Sequence, residues 1–170
     1  MKTCLNVAIL LSVSLLLTSC GKDSGNNANP ANDSSVIHGT IAGKEWTYRY
    51  GSAVHPAGST VWVVSLSDKE LNGDPCKVPN WNPGETFHYA SFFVKELLVG
   101  ELDYKMGSGK GSVSLGKTTT TATGVKSSSV GGFGTGKITE VTNENFRGTL
   151  DVRGDDENKI SGSFFVKLCH

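Results

Sequence analysis

Neither sign of charge is in excess: 16 lysines and arginines stand against 16 aspartates and glutamates in 170 residues. A protein that holds nucleic acid through its phosphates needs clustered surplus cation, so that class of partner is excluded. The 21 glycines follow no three-residue period, which excludes a collagen-like chain. Beyond residue 19 no apolar run reaches the length needed to cross a hydrocarbon core. A GxSxG nucleophile elbow is missing. His38, His55, His88 and His170 are scattered, with no pair at helical metal spacing and none beside a nucleophile with an orienting acid. No catalytic residue, metal or cofactor is therefore expected. What is present is 37% hydrophobic residues, enough to build one core.

The first twenty residues have an order of their own. Lys2 precedes an apolar run from Leu5 to Leu17, too short to span a bilayer but suited to the apolar region of a secretory signal. It ends in Leu17-Thr18-Ser19-Cys20. This segment resembles the lipobox of bacterial lipoproteins. The resemblance implies that residues 1–19 are a signal peptide and that Cys20 is lipidated on sulfur and becomes the mature N-terminus. The mature protein would then hold to a membrane through its N-terminal lipid. Each buried methylene of an acyl chain contributes about 0.8 kcal/mol, so two or more chains anchor stably. In such lipoproteins an Asp directly after the cysteine is an inner-membrane signal; Gly21 stands there, which implies the outer membrane, facing either periplasm or medium. Loss of residues 1–19 leaves 151 residues and removes Lys2, for a balance of −1.

From Gly21 to Ser35 no aromatic or branched aliphatic residue occurs, so this stretch cannot bury enough apolar surface to offset chain entropy. Residues 20–35 read as the lipidated cysteine and a flexible linker. Its root-mean-square reach is about 20 Å, at roughly 5 to 6 Å times the square root of its length. Of the four cysteines, Cys4 leaves with the signal and Cys20 carries lipid. Cys76 and Cys169 then remain in an oxidising compartment without CxxC spacing, and a structural disulfide is expected. It would close about ninety residues and stabilise by roughly 4 to 5 kcal/mol in the chain-entropy model.

Residues 36–170 read as a single β domain of period two. Phe146, Gly148, Leu150 and Val152 alternate with Arg147, Thr149, Asp151 and Arg153. Gly154 to Asn158 turns the chain, and Ile160, Gly162, Phe164, Val166 and Leu168 carry the buried face back. Strand signals also mark 36–41, 45–53, 60–67, 86–94, 101–105, 112–115, 119–125 and 137–142, most of them separated by turn residues. Phe92, Phe93, Val94, Leu97 and Leu98 fit a helical stripe as well, so a short helix over Lys95 to Val99 is an alternative there. The pattern predicts an all-β, antiparallel sandwich of about eight to ten strands, with a closed β-barrel as the alternative.

Several motifs compete for a functional reading. Gly131 to Lys137 (GGFGTGK) matches the first seven positions of a phosphate-binding P-loop, but Ile138 replaces the hydroxyl that would hold the metal ion. The reading here is a glycine-rich β-turn. Asp155, Asp156 and Glu157 lack the alternate-residue spacing of a calcium loop and read as a solvated turn. Lys117 to Ser129 is almost wholly hydroxyl-bearing and reads as a polar strand pair near a sheet edge. Trp46, Tyr48 and Tyr50, at two-residue spacing, form either a stacking platform for sugar rings or a core stripe. Trp81, in the polar, proline-rich segment Asp74 to Pro83, is the other candidate contact residue. The resulting expectation is a lipid-anchored, non-catalytic envelope protein that recognises a glycan or a protein. A structural envelope component, or a barrel carrying an apolar ligand, is the alternative.

Overall fold

The structure, a computed structural model, describes residues 36–69, 74, 76, 82–105 and 112–170. Ten strands follow in order: β1 (His38–Ile41), β2 (Lys44–Thr47), β3 (Tyr50–Val54), β4 (Trp62–Ser67), β5 (Thr86–Val94), β6 (Gly100–Tyr104), β7 (Val113–Thr121), β8 (Gly124–Val141), β9 (Asn145–Asp155) and β10 (Asn158–Cys169). They form one sheet, and its ladder returns on itself. The circuit runs β3–β4–β5–β7–β8–β9–β10 through antiparallel pairs, and β10 then pairs with β3 in parallel. Parity dictates that parallel seam, because a seventh alternating strand points the same way as the first. A closed circuit leaves few edges bare.

Two short strands lengthen the circuit. Gly134–Ile138 of β8 pairs with both β6 and β9, so these lie on opposite edges of β8, while β7 takes Gly124–Gly132. Likewise Lys159–Ser161 of β10 pairs with β1, and Lys167–Cys169 pairs with β3. The sheet's inner face encloses the core. Phe92 meets Tyr104 at 5.9 Å and Phe164 at 5.5 Å between ring centroids, and Phe164 meets Phe146 at 5.7 Å. All three contacts are steeply tilted, the geometry aromatic quadrupoles favour. Gly148 lies opposite Phe164 in the ladder, and a Cβ there would fall 2.7 Å from Phe164 Cζ. The missing side chain is the space the ring occupies.

The C-terminal hairpin follows the sequence alternation. Phe146, Leu150 and Val152 are buried while Arg147, Thr149, Asp151 and Arg153 are exposed. Other segments depart from expectation. The expected strand 45–53 is two strands, because Tyr48 N–H donates to Ile37 O (3.0 Å) and Arg49 N–H donates to Ser67 O (2.9 Å), which turns the chain between partners. The expected strand 119–125 is cut by a turn at Ala122–Thr123, its first residues ending β7 and its last two opening β8. β8 then runs unbroken to Val141, so that GGFGTGK lies inside a strand rather than in a loop. At Gly134, with φ +151°, a Cβ would collide with the Asp151 carbonyl, so only glycine lets β9 approach there.

No helix forms over Lys95 to Val99, nor anywhere else among the described residues. Period two prevails instead: Phe92 and Val94 point inward, Phe93 points out, and Leu98 and Val99 are exposed. Cys76 and Cys169 form the expected disulfide, across 93 residues, with Lys167 Nζ 3.3 Å from Asp74 beside it. The bond fastens the β4–β5 connection onto the C-terminal end of β10, at the parallel seam. The signal, Cys20 and linker readings lie outside the described residues.

Candidate functional site

The rings that fill the inner face turn attention outward. Trp46 and Tyr48 are almost fully buried. Trp46 Nε1–H donates to the His88 carbonyl at 3.1 Å, and the Tyr48 hydroxyl donates to the Phe165 carbonyl. Burial lifts the Tyr48 phenol well above its ordinary pKa. These two residues are therefore core, not a stacking platform. The turn at Tyr48–Arg49 breaks the stripe and places Tyr50 half-buried on the outer face. Trp81 lies outside the described residues.

The histidines do not converge. His88 donates through Nδ1 to Asp68 at 2.9 Å, and its backbone N–H reaches the same carboxylate at 3.0 Å. His55 and His170 flank Trp62 at centroid distances of 5.1 and 6.0 Å, far from that pair. No cluster of three or more potential metal-binding side chains occurs among the described residues. The acidic turn is occupied with itself: Asp155 accepts from Glu157 N–H (3.0 Å) and Asn158 Nδ2 (2.7 Å).

What the ladder does assemble is a face. Directly paired residues share one side of a sheet, so register decides which side chains become neighbours. Across β3, β4, β5 and β7, Ser52 pairs with Ser65, Ser65 with Ser91, and Ser91 with Ser114. These four positions alternate with inward Ala53, Val64, Leu66, Ala90, Phe92 and Leu115, so all four serines face out. At about 4.8 Å per strand the hydroxyl row is roughly 14 Å long. One neighbouring row is Val54, Val63 and Phe93; the other is Tyr50, Ser67, Tyr89 and Gly116. Short serines with Val54, Val63 and Phe93 on one flank, and on the other Tyr50 and Tyr89 interleaved with buried Ser67 and Gly116, make a shallow trough that crosses the strands. Ser65 is exposed, and Val54 and Phe93 are 41% and 39% exposed.

None of these eleven residues carries a charge at neutral pH; the row meets charge at its β10 end, where Lys167 pairs with Ser52 and is held by Asp74 at 3.3 Å. The outer face of β8–β9–β10 is the opposite case. Lys137 pairs with Glu101 at 3.0 Å and Arg147 with Glu140 at 3.4 Å, while Arg147 and Arg153 lie over the rings of Phe165 and Phe133. Two shallow hollows meet there at Thr149, one of them beside the bulge at Thr139. Their cations are already engaged by carboxylates and rings.

Sequence reasoning named Tyr50 but missed the serine row, Tyr89 and Phe93. One signal was available. No Asp, Glu, Lys or Arg occurs from Tyr50 to Ser67 or from Thr86 to Val94, an odd gap in a chain with 19% charged residues. Comparison with protein-family models, curated proteins and solved structures finds no match.

Proposed function

We propose that this protein is a lipid-anchored module of the cell envelope that recognises a glycan or protein ligand without catalysis, through the outer face of β3–β4–β5–β7. The observation that carries the reading is the uncharged hydroxyl and aromatic surface ordered by the ladder. A sheet face on which Ser65, Val54 and Phe93 are exposed among half-buried uncharged neighbours, and whose bordering Lys167 is engaged by Asp74, favours association, whereas a merely solvated face is normally charged. The lipobox-like ending at Cys20 supports an outer-membrane anchor, and the Gly21 to Ser35 tether suits display of a domain above lipid. A carrier of apolar ligand is less well supported, because Phe92, Tyr104, Phe146 and Phe164 occupy the enclosed side.

Two measurements test this. In cells, Cys20→Ser is expected to move the protein from the membrane fraction to the soluble fraction; retention in the membrane would refute lipid anchoring through that residue. In vitro, residues 21–170 are screened on a glycan array beside Ser65→Trp, which fills the trough on an exposed position. Binding lost in the folded variant supports the face; binding that ignores the substitution removes it as the site.

A further inference from the structure

We infer that the trough binds an uncharged polysaccharide segment lying across the strands, with its rings following the serine row. This rests on the recognition reading of the same face and commits it to one ligand class. Four features select that class. Lys167, which pairs with Ser52 at the β10 end of the row, is already held by Asp74 at 3.3 Å, so a carboxylate or sulfate placed here would lose water without meeting an unengaged cation, and acidic glycans are disfavoured. A serine hydroxyl both donates and accepts, matching a ligand whose own groups are hydroxyls of the same double character. Tyr50, Tyr89 and Phe93 supply ring surface beside the row, on which the C–H face of a sugar packs. The strand spacing of about 4.8 Å is also close to the advance of one pyranose along an extended chain.

A protein ligand fits less well. Eleven residues fall short of the roughly 20 to 30 per side that a stable protein interface engages. A peptide that adds a strand needs bare backbone, yet β4 and β5 are paired along both edges.

The test uses residues 21–170 in isothermal titration against neutral hexasaccharides of glucose, mannose and xylose, with polygalacturonate as the acidic probe. Ser65→Trp and Tyr89→Ala are measured alongside, each checked for an unchanged melting transition, and Lys137→Ala serves as control on the charged face. The expected result is binding of at least one neutral chain, weakened at least tenfold by both trough variants and unchanged by the control. A second copy of the titration with polysaccharide extracted from the producing cell's own envelope distinguishes a self-derived ligand from a foreign one. Preference for polygalacturonate, lost in Lys137→Ala, would overturn the inference and move recognition to the β8–β9–β10 face. No binding of any glycan by a folded protein would overturn it too. A protein ligand displaced by Ser65→Trp would overturn the polysaccharide while leaving the face as the recognition surface.

Discussion

Removing the disulfide should open the sheet at its parallel seam. Only Lys167, Leu168 and Cys169 of β10 pair with β3, opposite Ser52, Ala53 and Val54, so the circuit closes on three residue pairs. The Cys76–Cys169 bond sits at that short ladder and spans 93 residues. In the chain-entropy model a loop of this length gives about 4.6 kcal/mol at 25 °C. Domains of this size are stable by about 5 to 15 kcal/mol, so the loss is about three-tenths of the total or more. At roughly 3 to 4 °C per kcal/mol for a domain near this length, the melting temperature should fall by about 15 °C. The assay is urea unfolding of the oxidised protein and of the Cys76→Ser, Cys169→Ser double variant, with hydrogen exchange on Ser52 to Val54. The variant's denaturant slope should rise, since its unfolded chain is no longer looped. A loss below about 1 kcal/mol with unchanged exchange at Ser52 to Val54 would refute the reasoning: the bond would then merely pin the β4–β5 connection.

Further tests address the core. Gly148→Ala should cost about 1 to 3 kcal/mol, because the new methyl meets Phe164 and the Lys137 carbonyl, and a backbone carbonyl cannot step aside; an unchanged urea midpoint would contradict the packing. Phe164→Ala, which removes the ring shared by Phe92 and Phe146, should cost about 3 to 5 kcal/mol by the same measurement. Burial raises the phenol pKa values of Tyr48 and Tyr104, the latter buried with no hydrogen-bond partner for its hydroxyl among the described residues. Their stabilisation is complete below the unfolded phenol value near pH 10 and is lost as pH rises past it, because the unfolded chain releases those protons first. Ultraviolet titration should show two phenols that ionise only with unfolding; ionisation of all four tyrosines in the folded protein would refute this.

Legibility in the sequence followed locality. The hairpin from Asn145 to Cys169 could be read because one face of each strand is apolar and a one-residue slip would expose it. The break after Tyr48 could not, since its hydrogen-bond partners, Ile37 and Ser67, are respectively 11 and 18 residues from Tyr48 and Arg49. GGFGTGK looked like a loop because glycine signals turns; in β8 the same glycine freedom admits a neighbouring strand. Phe92 to Leu98 fits both periods, and only burial within the closed sheet decides between them. The serine row is the most instructive case. Each serine was readable as a wet position, but their adjacency exists only once four strands are in register.

The attachment point of the linker bears on which face a ligand meets. Val36, the first described residue, bridges to Ser163 of β10, so the described chain enters the sheet at the β10 position. In the circuit β10–β3–β4–β5–β7–β8–β9, β5 stands three steps from β10 one way and four the other. Ser91 and Tyr89 thus lie across the ring from the tether, while the Thr149 hollows lie beside it. If Cys20 carries the lipid, an anchored domain can rest its charged β9–β10 side toward the headgroups and still present the trough. Deleting residues 24–33, which shortens the reach to about 12 Å at 5 to 6 Å times the square root of length, should therefore leave capture of a neutral glycan by whole cells largely unchanged. Loss of capture with surface amount unchanged would place the contact on the β9–β10 side instead.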